Sequence, residues 1–349
     1  MKRCDFVDWM KAVGMFLIVF GHFFGDPFNQ FTQPIYPKQL GVAMFVFIMG
    51  WGLGKVKAKR YQVSYNRLFP MFFWGTVIAI FISAISLVVI NNPSLSNYAP
   101  LVFGVNVIFD FFPANPTTWF IGTYLHIILL WAVILYRIPI TPLILGACLI
   151  IEILMRSYFI GNSSIFIAYM ALPNWLTLFV LGMYMCQQKD QDSSKGLMLC
   201  TLAWVVFLIL WAVILNGLNV SQRFPFKSIQ LSSDMMNALY TSIAVSFVYI
   251  SNTLFSIAVF SRVKAGRIVR FFSRNTIIVF IGHMPLYFVI EPIVNLVFAS
   301  GWPKRLCIVL IMYIGLSWVS EILCKAIKVD EIKKWGWEKL IHWVPILGK

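Results

Sequence analysis

Asp8-Trp9-Met10-Lys11-Ala12-Val13-Gly14-Met15-Phe16-Leu17-Ile18-Val19-Phe20-Gly21-His22 is an apolar run with a carboxylate and a cation near one end and an imidazole well inside it. It reads as part of a membrane span, where each buried ionisable group costs at least a few kcal/mol and therefore marks a function. From Lys11 to His22 is eleven steps of about 100° and 1.5 Å, so the two share one helix face roughly 16 Å apart. That face predicts a polar path from the mouth of the span to its depth. The run continues into Gly25-Asp26-Pro27 and not into a small-residue cleavage site, so it reads as a retained span.

The rest of the chain has the same solvent. Of its 349 residues 60% are apolar, 17% aromatic and only 12% charged, against about 25% charged in a soluble protein. Spans are expected at roughly 9–25, 37–54, 68–91, 118–136, 138–156, 171–187, 196–216, 237–260, 275–298 and 305–325. The expected fold is therefore an all-α polytopic membrane protein, about ten transmembrane helices in one bundle. Residues 157–175, where Gly161-Asn162-Ser163-Ser164 and Pro173-Asn174 interrupt the hydrophobicity, leave room for a re-entrant piece. Residues 1–327 form the expected transmembrane domain.

A net charge of +15 could mean nucleic acid, but the placement of the basic residues points elsewhere. With the N-terminus in the cytoplasm, 21 Lys and Arg fall on the cytoplasmic side and 6 on the other, Arg156 among the latter, with Lys11 inside the first span. This is the asymmetry of a membrane protein with both termini cytoplasmic, and it needs no nucleic-acid partner. Two cytoplasmic segments, Lys55 to Arg67 and Arg262 to Arg274, are dense in cations. They serve either as topogenic charge against anionic lipid or as receivers of an anionic cytosolic substrate, with Arg67 just before Leu68-Phe69-Pro70 at the expected helix entrance. Residues 328–349 interleave Lys333, Lys334 and Lys339 with Trp335, Trp337, Ile341, Trp343 and Ile346, the composition of an amphipathic tail lying in the headgroup layer.

The ionisable groups inside expected spans are few. His22 has Asp26 one turn on, a carboxylate able to orient or charge it. Asp8 and Lys11, three apart, can pair at the cytoplasmic end. His283 coincides with a helix break at Gly282 and Pro285, with Glu291 two turns later as a network partner. His126 and Glu152 on consecutive spans are read as a structural pair, and Glu321 as a partner for Lys325. The six cysteines are scattered and read as small apolar packers; no metal is expected, because four dispersed histidines make no site by spacing. Hydrolase, zinc-protease, P-loop and dinucleotide motifs are absent from the sequence.

Taken together these residues resemble the integral membrane acyltransferase-3 family, which O-acylates sugars of surface polysaccharides, lipopolysaccharide and peptidoglycan. Its opening span carries an acid, a basic residue and a His separated by ten positions, as do Asp8, Lys11 and His22. Phe45-Val46-Phe47-Ile48-Met49-Gly50-Trp51 is loosely similar to its second span. Arg67-Leu68-Phe69-Pro70 matches its third, Trp119-Phe120 a middle one, and Phe280-Ile281-Gly282-His283-Met284-Pro285-Leu286 its late His-containing segment. The chain departs from the family in having Lys11 where Arg is commoner, Met49 for Ser, and Ser64 where many members place another Arg.

The resemblance implies an acyl-CoA-dependent O-acetyltransferase of the bacterial inner membrane, with acetyl-CoA as donor and an envelope or exported glycan or glycolipid as acceptor. His22, His283 and Asp26 are the implied catalytic residues; Lys11, Arg67 and Asp8 the implied donor-binding ones. A secondary transporter also has about ten spans and midplane ionisables, though no paired repeat is visible. A non-catalytic membrane assembly protein would tolerate loss of both His22 and His283.

Overall fold

A computed structural model describes residues 4–24, 37–57, 59–90, 104, 119–162, 165–188, 202, 204–206 and 235–348. Its helices are α1 (Asp5–Phe23), α2 (Pro37–Leu53), α3 (Arg60–Ile90), α4 (Trp119–Leu130, prolonged by a π turn at Trp131–Leu135) and α5 (Pro142–Gly161). Next come α6 (Ile165–Met170), α7 (Leu176–Gln187, preceded by a 3-10 turn at Leu172–Trp175), α8 (Met235–Phe260), α9 (Arg267–Arg274), α10 (Thr276–Gly282) and α11 (Tyr287–Asn295). The chain closes with α12 (Trp302–Leu310), which runs through a π turn at Ile311–Gly315 into α13 (Leu316–Ala326), and with α14 (Val329–Trp343). No strand occurs among the described residues.

Among the described residues five helical stretches are long and apolar enough to cross a membrane: Asp5–Phe23, Arg60–Ala84, Pro142–Gly161, Ala238–Phe260 and Trp302–Ala326. The expected span at 275–298 is broken: α10 and α11 meet at 78°. Gly282 and Pro285 cause the break, since proline supplies no amide hydrogen and clashes with the preceding turn. The third helix starts at Arg60 and not near 68. Residues 60–67 are too polar to count as lipid-facing, yet none of them stops a helix, so the helix runs on past the apolar stretch. Shorter apolar helices occupy Lys38–Leu53 and Trp119–Leu135. Across 157–175, α5 continues to Gly161 before α6 and the 3-10 turn lead into α7. The span expected at 196–216 lies outside the described residues apart from 202 and 204–206, as does almost all of the loops at 92–117 and 217–236.

The chain falls into two compact units. The first comprises Met1–Lys55, Pro139–Tyr169 and Pro173–Arg274. Its spine is α1 against α2 against α7, and glycines set how closely these helices approach. A Cβ on Gly41 would collide with the Gly14 carbonyl of α1, one on Gly50 with the Phe179 carbonyl of α7, and one on Gly182 with the Phe47 carbonyl of α2. Small residues at helix crossings replace the hydrophobic drive that lipid removes, because close backbones gain dispersion contacts. Phe6 meets Trp51 edge-on, ring centroids 4.8 Å apart. Gly182→Ala is expected to destabilise the fold by about 1–3 kcal/mol through overpacking, read as a lower melting temperature in detergent. Gly146→Ala, where no atom lies within 4 Å of the added Cβ, is the matched control expected to be neutral.

The second unit comprises Val56–Ile138, Met170–Leu172 and Asn275–Lys349. Phe120 of α4 packs edge-to-face on Phe280 of α10 at 5.5 Å. Glu321 of α13 pairs with Lys325 at 3.2 Å, as the four-residue spacing predicts, and also accepts from Asn275 at 3.0 Å. The tail helix α14 is seated on α3: Tyr65 donates to the Lys333 carbonyl at 3.0 Å and its ring lies 5.2 Å from Trp337. Trp335 and Trp343 point outward and are exposed.

Candidate active site

α1 is an unbroken α-helix, so the angular argument for Lys11 and His22 holds along its whole length. Both side chains are half-buried, with His22 in the last turn. Asp5 and Asp8 occupy the first turn, where the helix dipole favours anions. Asp8 is buried and accepts a hydrogen bond from the Ser273 hydroxyl of α9 at 2.6 Å. That partner lies 265 residues away, beyond the reach of the three-residue spacing from which a Lys11 pair was expected. Asp26, the expected companion of His22, lies outside the described residues.

His283 sits in the break between α10 and α11 and is wholly buried. Its Nδ1 is 2.9 Å from the Val279 carbonyl oxygen. A carbonyl can only accept, so Nδ1 carries a hydrogen, and in the neutral form of the ring the lone pair is at Nε2. Glu291, expected to extend a network from His283, is paired with Lys304 of α12 at 2.8 Å.

Arg67 lies two turns inside α3 and not at its entrance, because the helix begins at Arg60. Arg60, Ser64 and Arg67 are separated by four and three residues and so share one face. Ser64 is buried and turns its hydroxyl back onto the Arg60 carbonyl at 2.9 Å. The Arg60 guanidinium lies 4.7 Å from the Tyr61 ring centroid and donates to the Ala132 carbonyl at 3.3 Å. The Tyr124 hydroxyl approaches the Arg67 carbonyl at 3.5 Å.

The strongest polar cluster in the first unit was not anticipated. Arg156, counted above among the cations of the non-cytoplasmic side, is buried inside α5, and it uses all five of its N–H donors. Nε donates to Asn174 Oδ1; Nη1 to the Ser242 carbonyl at 2.8 Å and Ser246 Oγ at 2.7 Å; Nη2 to Glu152 Oε1 at 2.6 Å and the Asn174 carbonyl at 3.0 Å. Glu152 also accepts from Ser246 at 2.8 Å and from the Thr177 backbone at 2.9 Å. Glu152 is thus satisfied within its own unit, by Arg156 four residues on, whereas the expected partner His126 belongs to the second unit. The cluster ties α5, α7 and α8 together, and α7 in turn carries α2 and α1. The Glu-x-x-x-Arg spacing inside an apolar run was the signal in the sequence for it.

Asp8, Lys11 and His22 therefore belong to one helix of the first unit, and Arg67 and His283 to the second unit. A family model described as an acyltransferase domain matches residues 5–321, nearly the whole chain. No curated protein and no solved structure matches it.

Proposed function

The chain belongs to the acyltransferase-3 family of integral membrane acyltransferases, and from that premise we propose that it is an O-acetyltransferase of the bacterial inner membrane. It moves acetyl from cytosolic acetyl-CoA to a hydroxyl of a cell-envelope or exported sugar. The observation that carries this reading is the single unbroken helix α1, with a cation and an imidazole on one face roughly 16 Å apart.

In this reading Lys11 and Arg67 hold CoA phosphates. Lys11 does so as a compact ammonium and not a bidentate fork. His22 takes the proton of the acceptor hydroxyl as its oxygen attacks the thioester carbonyl. The carbon–sulfur bond then breaks, and the departing CoA thiolate recovers that proton from the imidazolium. His283, with its hydrogen directed at the Val279 carbonyl, has an Nε2 lone pair suited to accepting from a second, non-reacting hydroxyl of the acceptor sugar. This favours orientation of the acceptor over polarisation of the thioester. Asp8 shapes the donor entrance and Asp26 tunes His22. The exposed Trp335 and Trp343 of α14 suit a helix lying among lipid headgroups.

The test is to incubate membranes containing the protein with acetyl-labelled acetyl-CoA and an envelope-glycan extract. Alkali-labile label on glycan, dependent on the protein, is the expected result. Uptake of a solute into vesicles without any acyl transfer would instead identify a transporter.

A further inference from the structure

Five cations crowd residues 262–274: Arg262, Lys264, Arg267, Arg270 and Arg274. We propose that α9 and the turn before it form a phosphate-binding surface built on the N-terminal end of α1, and that it takes the phosphates of the acyl-CoA donor. The identity of the ligand rests on the donor assigned under the proposed function; the surface itself does not.

Arg267, Arg270 and Arg274 fall within a stripe about 60° wide and about 10 Å long on α9. Like charges three and four residues apart oppose helix formation, and a helix of 8 residues is too short to persist by itself. The segment is held by α1. Arg270 pairs with Asp5 at 3.3 Å and Ser273 donates to Asp8 at 2.6 Å. Trp9 stacks on Phe260 with centroids 5.7 Å apart and donates from its indole N–H to the Val263 carbonyl at 3.1 Å.

Charge that only sets topology acts by its number and its side of the membrane, and needs no fixed geometry. Here three contacts from one helix fix the basic segment and a fourth, the Trp9–Phe260 stack, holds the end of α8 just before it, and five cations against the two carboxylates Asp5 and Asp8 leave a clear positive excess. Lys264, Arg267 and Arg274 stay exposed. A fixed row of cations suits a ligand bearing several phosphates in line, such as the pyrophosphate and 3′-phosphate of CoA. It would place the donor on the helix that carries Lys11.

Anionic lipid headgroups offer the same phosphate chemistry, so the test has two arms. Full-length protein is placed in phosphatidylcholine nanodiscs and CoA binding is measured by calorimetry for wild type and the Lys264→Ala/Arg267→Ala double variant. The double variant keeps the Arg270–Asp5 and Ser273–Asp8 contacts. In the second arm, retention of phosphatidylglycerol is compared for the same two proteins. The expected result is CoA affinity weakened about tenfold or more by loss of two charged phosphate contacts, with an unchanged melting temperature. Equal CoA affinity in a wild type that binds CoA overturns the CoA surface while the donor assignment stands. A wild type that binds no CoA removes the donor assignment; the phosphate surface then survives only if the variant loses phosphatidylglycerol, and equal lipid retention overturns it.

Discussion

Replacing His22 with alanine is expected to lower acyl transfer by about 10²–10⁴-fold, the usual contribution of a positioned general base, while the protein still accumulates in the membrane and melts as wild type does. The unchanged stability is part of the expectation. His22 is half-buried in the last turn of α1, where alanine is a good helix former. The loss should fall on kcat, since the base acts on the proton in flight, and leave the KM for donor nearly intact. The measurement is a rate of label transfer from acetyl-CoA in membranes normalised to protein. Full activity in the variant would remove His22 from the chemistry whatever the family membership.

Replacing Arg156 with leucine is expected to cost about 3–5 kcal/mol, because it strands a carboxylate in a buried, apolar setting. Glu152 would keep the Ser246 and Thr177 donors but lose its counter-charge. Asn174, which gives both its side-chain oxygen and its carbonyl to the guanidinium, would lose two hydrogen bonds. The Glu152→Leu/Arg156→Leu double variant should recover more than half of the loss, since no unpaired charge remains. Arg156→Lys should fall between the two, keeping the charge but offering three donors from one point in place of a fork of five. Melting temperatures of the four proteins in the same detergent decide the order. Equal melting of the Arg156 single variant and wild type would mean that the cluster does not hold α5, α7 and α8 together.

The elements legible in the sequence were those whose cause is local. Hydropathy over about 20 residues placed the spans of α1, α5, α8 and the α12–α13 pair. Gly282 and Pro285 announced the break beside His283. Four-residue spacing anticipated the Glu321–Lys325 pair. Hydropathy failed at the start of α3, because it measures lipid contact and not helix formation, and so stopped near Leu68 when the helix begins at Arg60.

By itself the sequence determined an all-helical membrane protein and the common face of Lys11 and His22, because a fixed rise and turn per residue relate any two positions on one helix. Only the tertiary structure decided that Asp8 meets Ser273, that Arg156 is a buried hub and not merely one cation in the topology count, and that Gly182 lies against the Phe47 carbonyl. Those contacts join residues from different helices. Helical periodicity says which side of a helix is polar, but which neighbour answers it depends on how whole helices pack, and in lipid that choice rests on close approach and buried hydrogen bonds that leave little trace in hydrophobicity.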